Sequence, residues 1–362
     1  MIGVSGVRLT VDIILPMYNE EKVVVKTINN LMEICYPGLK IIVVDDGSLD
    51  NSFTVVTDHF GADPRVKIIQ QQNTGKSSAL NRAMNISESD IVVCIDADTL
   101  VNPDIIDKIL PYFNDEKVGA VSGYVKVGNR VNRLTEMQYI EYVTVQNYER
   151  KLFESVNGIL VVPGALGAFR RSAVIDVGGF MVDTLAEDCD ITIRMLCRNY
   201  VVRNASEAMS FTEAPHITSL FLKQRVRWTV GLVQGLLKHF KMLLTHPNRA
   251  LSLIVIPYTW LYRIILPLVL PVIDYFFFFT FVFLQQYELL DFYLSFLLLD
   301  TLITYFILRE QREQANVLQL IVIRFFYKHL TLATYLYIFS KWLNGNLYGW
   351  SKIPRQGSVK IE

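Results

Sequence analysis

The chain is short of cysteine, carries no excess charge of either sign and has no long apolar run before residue 250. Its four cysteines (Cys35, Cys94, Cys189 and Cys197) form no C-x-x-C pair and show no metal-ligand spacing, so they read as reduced thiols. Thirty-five basic and 35 acidic residues cancel, which leaves nothing to attract nucleic acid. No basic-then-apolar leader opens the sequence. Residues 11–15 already read as a strand, so the first domain is expected to begin almost at once, with no apolar segment ahead of it. Internal repeats and low-complexity linkers are absent as well.

What is present is an apolar excess, 51% of residues with 12% aromatics, concentrated after residue 250. In a chain of 362 residues this predicts one catalytic domain over 1–243, membrane-associated segments over 244–343 and a basic tail over 344–362. Residues 251–284 carry only Arg263 and Asp274 as charges, and 289–308 only Asp291 and Asp300. Both are long enough to span a bilayer. The third segment, 317–343, holds Arg324, Lys328, His329 and Lys341, and a central cation costs about 2.5–3.5 kcal/mol on insertion. Pro257, Pro267 and Pro271 predict an interfacial helix over 250–262 followed by a span. Asp274 reads as a channel residue or a hydrogen-bonded structural one. Lys352, Arg355 and Lys360 suggest a cytoplasmic C-terminus, which conflicts with an odd number of spans.

Between residues 11 and 125, short apolar runs (12–15, 40–44, 66–70, 91–95) alternate with helix-like stretches (20–35, 50–60, 75–87, 103–114). That alternation predicts an α/β domain with a doubly wound, mostly parallel sheet. Ligands of such sheets bind beyond the carboxyl ends of the strands. Further on, extended pieces at 120–127 and 167–170 bracket a helical stretch over 131–153.

Four signatures stand out, two of them at such strand ends. Asp96-Ala97-Asp98 follows the fourth strand with both carboxylates on one side of the chain. Such a pair suits Mg²⁺ or Mn²⁺ shared with a substrate phosphate, and a solvated turn with a helix cap is the alternative. Asp45-Asp46-Gly47 follows the second strand, where a carboxylate can accept from a uracil N–H or a ribose hydroxyl; an ordinary turn has the same composition. Pro16, Tyr18 and Glu20 lie after the first strand, near the same base, and Lys76 opens a helix from which it can reach a diphosphate. Glu187-Asp188 heads a helix, where acids are stabilising in any case and where a carboxylate can also serve as general base. In Gln224-Arg225-Val226-Arg227-Trp228, helical spacing puts Gln224, Arg227 and Trp228 on one face: an amide, a phosphate-binding guanidinium and a flat platform for a sugar ring. A basic helix on a membrane surface would look similar.

In this order the four signatures resemble glycosyltransferase family 2, in its membrane-embedded branch of polysaccharide synthases. The stretches Val162-Pro163-Gly164-Ala165 and Thr184-Leu185-Ala186-Glu187-Asp188 look most like its poly-N-acetylglucosamine synthases. The resemblance implies a GT-A fold on the cytoplasmic side of a plasma membrane. It implies a UDP-sugar donor, with UDP-N-acetylglucosamine expected, contacted by Pro16, Tyr18, Glu20, Asp45 or Asp46, Lys76, Asp96 and Arg227. Asp96 and Asp98 would hold Mg²⁺ or Mn²⁺, with Asp98 the closer ligand, and Asp188 would be the catalytic base. Gly164, Glu187, Gln224, Arg225 and Trp228 would line the acceptor site. The implied reaction is inverting transfer to a growing β-linked polysaccharide, with membrane lipids and an accessory membrane subunit as partners. Branch members commonly carry membrane helices before the catalytic domain; their lack here leaves room for single transfer to a lipid-linked acceptor. An inactive scaffold or channel subunit, and a nucleotidyltransferase, remain as further readings; the complete acidic set argues against the first and Trp228 against the second.

Overall fold

The structure is a computed structural model that describes residues 8–314, 316–344 and 353–361. Eight strands form one mixed sheet in the order β3-β2-β1-β4-β7-β6-β8-β5. They are β1 (Val11–Met17), β2 (Lys40–Asp45), β3 (Val66–Gln70), β4 (Ile91–Cys94), β5 (Leu100–Val101), β6 (Val118–Val127), β7 (Gly167–Arg170) and β8 (Val201–Thr212). The β3-β2-β1-β4 half is parallel throughout, as expected. Antiparallel ladders appear at β4-β7, β6-β7 and β5-β8, while β6 and β8 pair in parallel. Strand β8 was not anticipated: its residues 203–207 (Arg, Asn, Ala, Ser, Glu) interrupt the apolar pattern, and its ladder to β6 is irregular.

The strands read as continuous apolar runs because both faces are covered. Ile13, Leu15, Val43 and Val93 pack on one side with Val24, Ile28 and Leu31 of α1 (Val24–Met32). Their alternate neighbours Ile14, Ile42, Val44 and Val92 pack on the other side. There they meet Ala79, Leu80 and Ala83 of α3 (Lys76–Ile86), which follows α2 (Ser52–Phe60). The chain runs outward from β1 through β2 to β3 and then returns to β4 on the other side of β1. This reversal opens a crevice between the carboxyl ends of β1 and β4.

The helical stretch after β6 is α5 (Arg133–Glu141), a π-helical turn Tyr142–Asn147 and α6 (Tyr148–Glu154); α4 (Ile105–Ile109) precedes β6. After β7 come α7 (Arg171–Asp176), α8 (Glu187–Cys197), α9 (Thr218–Lys238) and α10 (Phe240–Leu244).

Among the described residues, three helices beyond them are long and apolar enough to cross a membrane: Leu251–Leu284, Tyr287–Glu310 and Val317–Leu343. The expected break after residue 262 does not occur. Leu251–Val255 and Leu261–Ile265 are π-helical turns. The rings of Pro257 and Pro267 face the carbonyls four residues earlier, at Leu253 and Arg263, and these lie inside the two widened turns. The Arg263 carbonyl, which Pro267 cannot reach with an N–H, accepts instead from the Tyr335 hydroxyl. The third segment tolerates its cations because Arg324 pairs with Asp300 at 2.6 Å and Lys328 with Asp274 at 2.7 Å. Of the basic tail, Lys352 lies outside the described residues. Residues 353–361 return to the sheet domain. There Val359 is buried against Leu100 and Phe211, and the Lys360 N–H donates to the Gly128 carbonyl at 2.9 Å.

Candidate active site

The ends of β1, β2 and β4 form one wall of a cleft of about 150 Å³. Pro16, Tyr18 and Glu20 line it from β1, Asp46 from β2, and Asp96 and Asp98 from β4. Of the adjacent pair, only Asp46 reaches the cleft. Its Oδ1 accepts from the Thr74 N–H at 3.0 Å and its Oδ2 from the Gly75 N–H at 2.8 Å, so it fixes the loop that starts α3. Asp45 turns away and accepts from Gln70 Nε2 at 3.0 Å.

That loop delivers Lys76 to the centre. Lys76 Nζ lies 2.6 Å from Asp96 Oδ1 and 3.2 Å from Glu187 Oε1, tying β4 to the start of α8. Burial alone would lower the ammonium pKa, but Asp96 and Glu187 outweigh it and hold Lys76 protonated. Burial likewise opposes ionisation of Asp96, and Lys76 reverses the sign, leaving that carboxyl below the usual range. Gly164 lies close over this pair: a Cβ there would stand 2.5 Å from Lys76 Nζ and 3.2 Å from Asp96 Oδ1, so a side chain would have to displace the ammonium.

Beyond Asp96 the cleft continues into a second cavity of about 240 Å³. Asp188, Glu187 and Gly164 line it, and Gln224, Arg227 and Trp228 face it from α9. The predicted shared helix face is therefore what α9 presents. Asp188 is half-buried. Desolvation first, and the neighbouring Glu187 second, push its carboxyl up to about 6, with Lys76 opposing. A carboxylate poised there can take a proton from a hydroxyl near neutral pH. Arg227 makes no ion pair among the described residues and lines both cavities.

Arg225 is not brought to either wall. Its guanidinium closes on Glu141 with two bonds of 2.6 Å, and Tyr327 of the third apolar helix donates to the same carboxylate at 2.6 Å. From there it lies 4.6 Å from the Trp228 ring and braces it from behind. The spacing argument missed this because an Arg beside a motif face looks the same in sequence whichever way it turns.

Sequence reasoning also missed Arg355 as part of the cleft. Its Nε stands 2.8 Å from Asp98 Oδ2, and its Nη1 donates to the Glu213 carbonyl at 2.6 Å. The Asp98 carboxyl is pushed up, by burial first, and Arg355 counteracts this. Asp98 Oδ2 is enclosed and accepts no aligned hydrogen bond, so charge alone holds the guanidinium there. Among the described residues no group of three or more His, Cys, Asp or Glu side chains could hold a metal by itself. The two aspartates still fit a hard divalent cation: they offer oxygen donors only, and such ions complete their shells with phosphate and water.

With this geometry in place, comparison with known proteins gives a consistent result. Residues 12–178 match the family description "Glycosyl transferase family 2". The poly-beta-1,6-N-acetyl-D-glucosamine synthase of Staphylococcus aureus (strain COL) is 30% identical over 231 residues, 64% of this chain and 56% of that protein. The Staphylococcus epidermidis synthase of the same name is 28% identical over 263 residues, 70% of this chain and 63% of that protein. The chain thus spans little more than half the length of the curated relatives it matches. Among solved structures, the mannosyltransferase PcManGT from Pyrobaculum calidifontis, in complex with GDP-Man and Mn²⁺, superposes with a TM-score of 0.67. It is 22% identical, with 94% of this chain and 88% of that one covered. S. aureus TarS 1-349 with UDP-GlcNAc gives 0.50 at 15% identity, covering 70% and 73%. The fold is GT-A-like, and residues 12–178 carry the likeness to glycosyltransferase family 2.

Proposed function

We propose that this protein is a family 2 glycosyltransferase that transfers a sugar, with inversion, from a nucleotide diphosphate donor to an acceptor hydroxyl at the membrane. UDP-N-acetylglucosamine is the donor we favour, because the relatives at 28–30% identity are named for that sugar's polymer. The observation that carries the reading is the position of Asp188. It is half-buried, pushed up to about 6, and lies on a cavity that shares Lys76, Asp96 and Arg227 with the cleft at the strand ends.

In this reading the nucleotide lies along Pro16, Tyr18, Glu20 and Asp46, and Lys76 and Arg227 bind the diphosphate oxygens. Asp98 and Asp96 would hold Mg²⁺ or Mn²⁺. When bound, that ion neutralises the charge that grows on the leaving diphosphate. Gln224 and Trp228 orient the acceptor sugar, and Glu187 keeps Lys76 in place. Asp188 takes the proton of the acceptor hydroxyl as its oxygen attacks the anomeric carbon. The new C–O bond forms as the bond to the diphosphate breaks, and an α-linked donor gives a β-linked product. The domain boundaries at 243 and 343, the cytoplasmic placement of the catalytic domain and an accessory membrane subunit belong to the same reading.

Purified full-length protein in micelles, given labelled UDP-N-acetylglucosamine, other UDP-sugars or GDP-mannose in turn, should release nucleotide and label an acceptor with one of them. EDTA should stop the reaction and added Mn²⁺ restore it. Failure with every donor would remove the transferase reading. The acceptor is either a growing polysaccharide, as in the named relatives, or a lipid-linked molecule; the charge inside the second cavity favours the latter.

A further inference from the structure

The second cavity runs from Asp188 to Thr259 and Arg263 of the helix Leu251–Leu284, the first long apolar helix after the catalytic domain. Its middle is apolar, walled by Phe153, Ile159, Leu160 and Leu232. At the end near the apolar helix two guanidiniums, Arg150 and Arg263, meet a single carboxylate, Glu149. Glu149 is already committed: it pairs with Arg263 at 2.5 Å and accepts from the Tyr258 hydroxyl at 3.0 Å. Arg150 is 8% exposed, and among the described residues it has no carboxylate partner. Its Nη2 donates to the amide oxygen of Asn147, and its Nε is sealed from solvent with nothing to donate to. A buried guanidinium without a counter-charge is costly unless something supplies one. The backbone is unusual at the same place. The π-helical turns Tyr142–Asn147 and Leu261–Ile265 both face the cavity, and such turns are frequent at functional sites.

We infer that Arg150 and Arg263 bind the phosphate of a membrane-embedded lipid acceptor, whose apolar tail leaves past Thr259 along the first apolar helix. This rests on the transferase reading of the same site and names its acceptor class. A neutral glycan would leave Arg150 uncompensated, whereas a phosphate accepts from two planar guanidiniums at once. The head group's hydroxyl then faces Asp188 while its charge stays at the far end. Arg150 touches the acceptor in this scheme and takes no proton.

The test measures binding separately from turnover. Full-length protein in micelles is titrated with labelled farnesyl phosphate, with farnesol and with inorganic phosphate. Farnesyl phosphate is expected to bind, and Arg150→Gln to weaken it about tenfold or more, the loss expected for charge-assisted hydrogen bonds. Arg150→Lys, which keeps the charge, should recover part of that affinity. Arg263→Gln gives an independent reading should Arg150→Gln fail to fold, which circular dichroism reports. Equal binding of farnesol, equal binding of inorganic phosphate, or unchanged affinity in folded Arg150→Gln and Arg263→Gln would each overturn the proposal. Release of nucleotide from the donor, measured with membrane extract supplying acceptors, separates the two claims. Lipid phosphate binding without any donor turnover sinks the transferase reading alone, and donor turnover without lipid phosphate binding sinks this one alone.

Discussion

Arg355 sits against Asp98, Nε to Oδ2 at 2.8 Å, so a residue from the end of the chain lies on the carboxylate that would hold a divalent cation. A guanidinium and a divalent ion compete for the same oxygen, and each must reduce the affinity of the other. Arg355→Gln is therefore expected to tighten Mn²⁺ binding about fivefold, the effect of losing one partly buried charge-assisted contact of about 1 kcal/mol. Electron paramagnetic resonance of free Mn²⁺ checks this without requiring turnover. Unchanged or weaker Mn²⁺ binding would mean that the tail helps to build the site rather than compete for it.

Asp188 must be ionised to accept a proton, so its elevated carboxyl sets an acid limb. Turnover should fall about tenfold per pH unit below about 6, and Asp188→Asn should abolish transfer while UDP still binds. The sign for stability is opposite to that of an ordinary paired carboxylate. A folded-state value above the ordinary 3.8 of an aspartate means that the native protein binds this proton more tightly than the unfolded chain. The stabilisation is complete below 3.8 and is lost as pH rises through about 6. At pH 7.5 Asp188→Asn should therefore be more stable than the parent, by on the order of 2 kcal/mol. A lower midpoint in thermal unfolding would contradict this.

Gly231 of α9 touches the loop before the catalytic helix. A Cβ there would meet the Ala186 nitrogen at 2.7 Å and the Ala186 Cβ at 2.5 Å. Gly231→Ala must push α9 away from Leu185-Ala186 and so separate Arg227 and Trp228 from Asp188. The expected outcome is a loss of kcat of about tenfold or more with a stability cost of about 1–3 kcal/mol. Steady-state kinetics beside thermal melts measure both; wild-type kcat would show that the helix slides without consequence.

Glu141 serves Arg225 and Tyr327 together, joining α5, α9 and the third apolar helix. Glu141→Gln leaves a buried guanidinium without its charge partner and should cost about 3–5 kcal/mol. Arg225→Met, with Glu141 then unpaired, should cost a similar amount, and the double variant less than the sum of the two. A double-mutant cycle in chemical denaturation tests the coupling.

The parallel half of the sheet was legible because its strands are buried on both faces. Uninterrupted runs such as Ile91-Val92-Val93-Cys94 then announce themselves, and their carboxyl ends locate Asp46, Asp96 and Asp98. The face of α9 was legible because helical period alone puts Gln224, Arg227 and Trp228 together. Strand β8 was not, since it carries Arg203, Ser206 and Glu207 inside the run. The unbroken helix through Pro257 and Pro267 was hidden because π-helical widening leaves no mark in composition. Arg150 and Arg355 were invisible as cavity residues because no local pattern says which of 35 basic side chains points inward.

The C-terminal strap has one more meaning. The thread departs from the catalytic domain at Leu251 and is stitched back onto it by Arg355, Val359 and Lys360. A thread that starts and finishes on one side of a sheet of lipid can pierce it only in pairs. Of three long greasy rods, then, no more than two would be full piercings. Val317–Leu343 leans on the domain near its start, where Leu320 and Ile323 are seated in the same apolar cluster as Tyr139 and Ile140 of α5.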